Sequence, residues 1–589
     1  MVPVALAALA LLQANATQAQ PREPVYVIRN VSVIATTGAP TRTWDVVVRG
    51  RTIAQLLPAN AAQVAGATVI EGTGKYLIPG LIDTHVHLKQ EDPLLLFVVN
   101  GVTTVQNMNG QPWHLERRQQ TAQGTLLGPR ILTTGPTTAR VGVPGPDDAE
   151  KLVREQKAAG YDAIKMYGSD GSGDMTLETY RRLITVAHAL GLRVVGHAPR
   201  NLPFQVVLDE DQNSIDHMEE IVYTHRPFAR LLQPYIDVQF GRATTEVRDS
   251  LARTPVPDFA AELRGEIDAL ARAVKASGLA VTPNLVYFRN IQWMTTDSIH
   301  ALLGGTELAY AAPGQRLNWS PLLNRYRTAW RGTRDLVSSY LGRAVELEYA
   351  MTAAFHRAGV PLMTGTDSEG LGAQPGFGLH TELELLVHCG LSPLDALRSA
   401  TSVPARELRI ADSVGSVEPG KVADLVLLDA DPLADIGHVR RITGVMRAGQ
   451  WIPQSAAKAM LDSLAASYAP VQAELAAFVQ ALEQRGAKAA LETYAASPEK
   501  AAIAKPVEQV INAWGYRVMG EGRVPEAIEV FTLNTEAFPR EYNTWDSLAE
   551  AWMNAGRNDL AIQYYRKVLE LHPGDENATR MLNQLGVSP

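Results

Sequence analysis

The stretch LIPGLIDTHVHL, Leu77 to Leu88, constrains this chain more than any other part of it. It reads as an apolar strand that ends in two histidines, His85 and His87, one residue apart. Side chains alternate faces along a strand, so residues two apart point the same way. Both imidazoles therefore project from one face at the strand's carboxyl end. Neutral imidazole is the commonest protein ligand for a divalent metal. Two solvated histidines on an edge strand are the plain alternative. The unbroken hydrophobic run before the pair argues against it, because such a run suits a strand covered on both faces.

With 589 residues the chain is expected to form two or three domains, and its 46% hydrophobic and 20% charged content is that of a globular protein. A formal charge of −8, with no basic patch interleaved with aromatics, excludes nucleic acid as an expected partner. The single Cys389 excludes an internal disulfide framework and a thiolate metal cluster. Residues 2–12 form an apolar run too short to span a bilayer, followed by small residues with Ala14 and Ala16 in an Ala-x-Ala pattern. Residues 1–19 are therefore read as a secretory signal peptide, which implies export to the periplasm or beyond. No later segment is apolar enough for a transmembrane span.

Residues 20–75 alternate as short strands, and a second strand cluster returns within 405–455. The two flanks together predict one small β-sandwich domain of antiparallel strands. Between them, over 76–404, strands alternate with amphipathic helices, the pattern of a parallel α/β fold. Eight strand candidates fall at 81–87, 101–106, 130–134, 162–167, 193–197, 214–217, 279–285 and 360–366, which predicts a (β/α)₈ TIM-like barrel. Residues 225–350 exceed one βα connection and carry Trp293, Trp319 and Trp330; they are read as a helical insertion over the barrel mouth.

Residues 456–589 are alanine-rich and helical, and they repeat. Ala527 and Ala561 are 34 apart, as are Pro539 and Pro573, with Phe531 and Tyr565 in the same aromatic slot. Trp514-Gly515 and Leu548-Ala549 supply matching early positions. The pattern resembles the tetratricopeptide repeat, with residues 576–586 as a polar capping helix. Such an array offers a surface for a protein partner.

Functional side chains of a (β/α)₈ barrel sit at the carboxyl ends of its strands. There the chain places His85 and His87, then Lys165 in DAIKMYG, His197 in LRVVGHAP, His217 in NSIDHMEE and Asp367 in LMTGTDS. This order is similar to that of the metal-dependent amidohydrolase superfamily, in its imidazolonepropionase-like and Xaa-Pro-dipeptidase-like branch. The entry run PGLIDTHVHL, the second strand GVTTVQ, residues 380–401 and the tail SVGSVEPGKVADLVLLD carry the resemblance over roughly 25–455.

The resemblance implies a site for two divalent ions, zinc by default. His85, His87 and Asp367 would hold the buried ion, His197 and His217 the outer one, and Lys165 would bridge both as a carbamate formed with CO₂. An ammonium beside two cations would be repelled, whereas the carbamate is an anionic oxygen donor. A metal-bridging hydroxide would attack a C–N bond of a small amide, with Asp367 moving the proton. Branch members that cleave dipeptides often carry a histidine after strand 3 and a tyrosine two residues past the third metal histidine. Here TTGPTTAR and Pro199 stand in those places, so Tyr167, Tyr223, His225, Arg140 and His380 are the candidate substrate contacts.

The leading expectation is thus a two-metal hydrolase of an N-acyl amino acid, dipeptide or cyclic amide. Two alternatives stay open: a one-metal deaminase or ring-opening enzyme in which Lys165 is not a ligand, and a repeat-mediated binding scaffold with an inert barrel.

Overall fold

The computed structural model describes residues 23–588 apart from 39, 90–92, 139–141, 168–174, 325–332, 369 and 371. The signal-peptide assignment, Arg140 and Trp330 lie outside the described residues.

The amino-terminal flank supplies β1 (Val25–Val33), β2 (Arg42–Arg49), β3 (Thr52–Pro58), β4 (Thr68–Glu71) and β5 (Tyr76–Pro79). The central segment supplies β6 (Leu81–Val86), β7 (Val102–Asn107), β8 (Arg130–Thr133), β9 (Ala163–Met166), β10 (Arg193–Gly196), β11 (Ser214–Asp216) and β12 (Ala280–Thr282). The later flank adds β13 (Leu425–Leu428), β14 (Ile442–Arg447) and β15 (Gln450–Pro453).

Both flanks join in one sheet of order β15-β14-β13-β5-β1-β2-β3, with β4 also on β1. The expected sandwich of antiparallel strands is replaced by a single mixed sheet, because β1 pairs in parallel with β4 and with β5. The cause is a bulge between Ile28 and Val31. There Asn30 takes φ 55°, and its N–H donates to Asp45 Oδ1 at 2.8 Å. The Asp45 carboxylate also accepts from the N–H groups of Asn60 and Ala62. A bulge bends its strand, so the first half of β1 meets β4 and the second half meets β5.

The central strands form parallel arcs, β6-β7-β8, β9-β10 and β11-β12. All residues of β6, β7, β9, β10, β11 and β12 are buried, as strands covered on both faces must be. Single parallel bridges link Thr134 to Ala163, Val281 to Leu362 and Val86 to Ser368. The Asn213 N–H donates to the Val194 carbonyl at 2.9 Å, between β10 and β11.

The expected eighth strand, 360–366, is not a regular strand; it is held by isolated bridges and by a side chain. Backbone bonds run from Thr84 N–H to the Thr364 carbonyl at 2.9 Å and from Met363 N–H to the Val281 carbonyl at 2.9 Å, and Asp83 adds side-chain bonds from the Thr366 N–H at 3.1 Å and hydroxyl at 2.7 Å. The 225–350 stretch is also not one insertion, since β12 crosses it. Helices Arg226–Gln239 and Arg264–Ser277 precede β12, while helices Leu285–Thr295 and Arg334–Ala358 follow it.

After β15 the chain is helical: Gln454–Ala496, Lys500–Gly520, Val524–Ala537, Tyr542–Asn554, Asn558–Leu571 and Glu576–Gln584. Gly486, with φ 83° and ψ 178°, breaks the first of these in two. A Cβ at Gly515 would fall 2.5 Å from the Phe531 ring, so only glycine admits that close approach. No helix among the described residues is long and apolar enough to cross a membrane.

Candidate metal centre and its cavity

His85 is fully buried at the end of β6, and its two ring nitrogens face two acids. Nδ1 lies 3.2 Å from Asp216 Oδ2, and Nε2 lies 3.4 Å from Asp367 Oδ1. His87 brings Nε2 to 3.0 Å from the same Asp367 oxygen and to 3.3 Å from His85 Nε2, while its side chain is 41% exposed. The His217 ring centroid stands 4.6 Å from that of His85. One ligand atom each from His85, His217 and Asp367 lies within 4.8 Å of the others, and all three residues are buried.

Two of these residues hold backbone conformations that side chains rarely adopt. His217 has φ 65° and Asp367 has φ 51°. Each is pinned: the His217 N–H donates to the Thr282 carbonyl at 2.9 Å, and the Asp367 N–H to the His85 carbonyl at 2.8 Å. Such strain costs about 1–3 kcal/mol per residue and gathers at functional sites. It also explains why Asp216 and His217, adjacent in sequence, both face inward.

Burial, reinforced by the Lys165 charge, lowers the His85 pKa to about 4. Burial likewise holds His217 well below its ordinary value and lowers His197. Burial alone would raise Asp367, but the imidazoles of His87, His85 and His217 outweigh it and hold the carboxyl well below the usual range. The set at neutral pH is two neutral imidazoles and one carboxylate, which is the chemistry of a divalent-metal site. The buried atoms His217 Nδ1 and Asp367 Oδ1 make no hydrogen bond, although buried polar atoms ordinarily do. The donors converge on one another without being aligned to bond, so the residues fit a metal ion.

Behind them sits Asp83, whose Oδ1 also accepts the His85 N–H at 3.3 Å. Burial raises its pKa to about 7. Lys165 and His197 stand to one side, each with a different partner. Lys165 Nζ donates to Asp216 Oδ2 at 3.1 Å, and His197 Nδ1 lies 3.0 Å from Glu220 Oε1. A Cβ at Gly196 would meet the Lys165 Cδ at 2.4 Å, so glycine there lets the lysine lie across β10. Glu220 also takes the Arg200 guanidinium, through Nε at 3.2 Å.

The site opens into a cavity of about 740 Å³, whose wall includes His87, Tyr167, His197, Arg200, Tyr287 and Trp319. Tyr167 is 47% exposed and stacks on His197 with centroids 4.7 Å apart. Tyr223, His225 and His380 lie outside the lining of the cavity. Tyr223 sits beneath the Arg200 guanidinium at 4.7 Å and against Phe240. His225 precedes the helix Arg226–Gln239, with its ring on Phe228. His380 is buried in the helix Phe377–His388, its Nε2 2.9 Å from the Asn100 carbonyl. The sequence reading passed over Asp216, Glu219, Glu220 and Arg200. Their signal was available: acids flank His217 on both sides, and Arg200 stands three residues past His197.

A metal-ligand cluster at strand carboxyl ends, facing a cavity, marks a metal-binding enzyme of the parallel α/β class. Residues 76–452 match the amidohydrolase family model, and the chain belongs to that family as an amidohydrolase-type enzyme. It is 50% identical over 44 residues to imidazolonepropionase of Picrophilus torridus, a match spanning 8% of this chain and 11% of that protein. It is 24% identical over 383 residues to 5-methylthioadenosine/S-adenosylhomocysteine deaminase of Symbiobacterium thermophilum, covering 63% of this chain and 77% of that one. Among solved structures, a Xaa-Pro dipeptidase with bound methionine superposes with a TM-score of 0.51 at 18% identity, over 73% of this chain and 100% of its own. That likeness is one of fold.

Proposed function

We propose that the chain hydrolyses a carbon–nitrogen bond of a small substrate at one divalent ion held by His85, His217 and Asp367, as a deaminase or ring-opening amidohydrolase. The observation that carries this reading is the three-ligand cluster, with Lys165 engaged by Asp216 and standing outside it. Relatives named as an imidazolonepropionase and a deaminase support the same reaction class.

A divalent ion, when bound, lowers the pKa of water towards neutrality and polarises the carbon under attack. The chain's own residues do the rest. Asp367, ionised, accepts a proton. Glu219 lines the cavity, and burial together with the neighbouring Glu220 charge raises its pKa to about 8. It is therefore protonated at neutral pH and placed to protonate the departing nitrogen. Tyr167 offers a flat face for a planar ring, while Tyr287 and Trp319 exclude water from the wall.

A two-metal reading is kept for one specific reason. His197 lies with its ring centroid 5.0 Å from His217, and Lys165 is fully buried beside His85, so carbamate formation on Lys165 would add a second set of ligands. N-acyl amino acids, dipeptides and cyclic amides would then be the substrates. Elemental analysis of the purified protein, alongside assays of ammonia release and of peptide and acyl hydrolysis, decides between them. About one zinc-class ion per chain with ammonia release or ring opening supports the first reading, and two ions with peptide or acyl cleavage would overturn it.

The parallel arcs and their linking bridges support a closed (β/α)₈ ring, built over 76–404 between the two flanks of the sheet. The close approach at Gly515 and Phe531, and the buried pair Ala549 and Tyr565, support tetratricopeptide repeats after residue 456 that could dock a protein partner.

A further inference from the structure

Far from the metal ligands, four arginines meet around one cavity of about 580 Å³. Arg130 opens β8, and so lies at the opposite strand end from the catalytic residues. Arg118 comes from the helix Pro112–Gln123, Arg51 immediately precedes β3, and Arg447 ends β14. The cavity therefore straddles the seam between the central α/β segment and the flanking sheet. Its floor is apolar, from Leu115, Ile131 and Leu132.

Arg51 and Arg447 help to hold that seam, and Arg118 ties together two parts of the central segment. Arg51 Nη1 donates to the Ala122 carbonyl at 3.0 Å, Arg118 Nη2 to the Gly160 carbonyl at 3.0 Å, and Arg447 Nε to the Gly128 carbonyl at 3.1 Å. Two of those carbonyls close helices, where a cation is favoured. Arg118 and Arg447 also pair with Asp162 and Asp424. Among the described residues Arg130 makes no such bond: its Nε is buried without a hydrogen-bond partner, and the charges acting on it are Asp424, Arg447 and Arg51. Among the described residues, the only acid in the lining is Glu116. Even set against Asp162, Asp424 and Glu116 together, the four arginines leave an excess positive charge, in a chain whose net charge is −8. A seam needing only mechanical ties would not bury a guanidinium edge unpaired, since an unmet buried donor costs about 1–3 kcal/mol.

We infer that this cavity is a binding site for a phosphate-bearing small molecule, with the phosphate on Arg130 and its arginine neighbours and the organic part on Leu115, Ile131 and Leu132. Guanidinium forks match phosphate oxygens geometrically, and a volume well beyond that of phosphate alone calls for an attached apolar group. Occupation would tie the flanking sheet to the central segment at the end remote from catalysis.

The test is calorimetric titration of the full-length, metal-loaded protein with phenyl phosphate, inorganic phosphate and benzoate. Phenyl phosphate is expected to bind once per chain and more tightly than either of the others. Arg130→Met should weaken it about tenfold or more, as the loss of a charge-assisted pair implies, with metal content and turnover unchanged. Should Arg130→Met fail to fold by circular dichroism, Arg51→Met serves in its place, since Arg51 is more exposed. Undiminished binding in the folded variant would place the anion elsewhere, at the metal centre for example, and would overturn the inference. So would benzoate binding as tightly as phenyl phosphate, or no saturable heat below about 10 mM.

Discussion

Lys165 donates to Asp216 across 3.1 Å, and both side chains are only 1% exposed. Burial by itself would raise the Asp216 pKa, but the Lys165 ammonium and His85 outweigh it and hold the carboxyl well below its usual range. Asp216 therefore acts as a charged hinge between the lysine and the first metal histidine. Asp216→Asn would leave the lysine charge buried and uncompensated, at a cost of about 3–5 kcal/mol. A sharp fall in melting temperature is expected. Lys165→Met, by contrast, should leave about one ion per chain if the site holds a single metal. Loss of a second ion in that variant, read by elemental analysis, would favour the carbamate arrangement.

Glu219→Gln removes the proposed proton donor and should lower kcat by about 10²–10⁴. Metal content should stay as it is. In the wild type the active form carries the proton, so activity should fall as pH rises through about 8. That alkaline limb should be missing from the residual activity of the variant. A variant profile with the same limb would assign the proton to another group.

Tyr287 and Trp293 both belong to the helix Leu285–Thr295, but they stand in different places. Tyr287 lines the cavity with its ring 5.6 Å from His217, whereas Trp293 stacks beneath the Arg289 guanidinium at 4.3 Å. Tyr287→Ala should shift KM or substrate preference across a panel, and Trp293→Ala should not. Equal shifts in both would show that the wall extends further than the cavity described.

The carboxyl-terminal helices pack against the segment that forms one wall of the cavity. Leu317, in the helix Pro313–Asn318, packs into the cluster of Leu475, Phe478 and Leu482, and Gln472 Nε2 donates to the Ala311 carbonyl at 3.4 Å. Gln315, Asn318 and Trp319 from the same segment line the cavity. A chain ending at Pro453 should therefore keep its metal and its chemistry but lose the support for that wall. KM should rise while kcat is retained in part. Complete inactivity in a folded, metal-loaded truncation would mean that the helices reach the chemistry directly.

His380 is predicted to act on stability and not on substrate. Burial first, and then the Arg440 charge, lower its pKa to about 3, far below the 6.5 of an exposed imidazole. The unfolded chain thus binds the proton more readily. Stability is fully present above pH 6.5 and is lost as pH falls, by up to about 1.4 kcal/mol per pH unit. His380→Gln should flatten this part of the acid limb when the two melting profiles are subtracted, with KM unchanged. A parallel pair of profiles would contradict the assignment.

Local pattern carried much of the fold. Apolar runs placed seven of the eight central strands to within a few residues, because a strand covered on both faces must be hydrophobic throughout. The eighth is apolar at its start but pairs with its neighbours only through isolated bridges and a few backbone bonds, supplemented by the Asp83 carboxylate, so no regular strand forms. The flanking sheet was legible as strands but not as one sheet, because the bulge at Asn30 decides which neighbours β1 can have.

At the site, the sequence by itself determined which residues reach the strand ends, and so which donors are available to a metal. Only the tertiary structure decided how they divide: His85, His217 and Asp367 together, Lys165 with Asp216, His197 with Glu220. Alternation along a strand would turn Asp216 away from His217. The positive φ of His217, stabilised by Thr282 and Asn284 from β12 and the turn after it, brings both inward. That conformation depends on groups more than sixty residues away in sequence, and a periodicity read over neighbouring residues does not contain it.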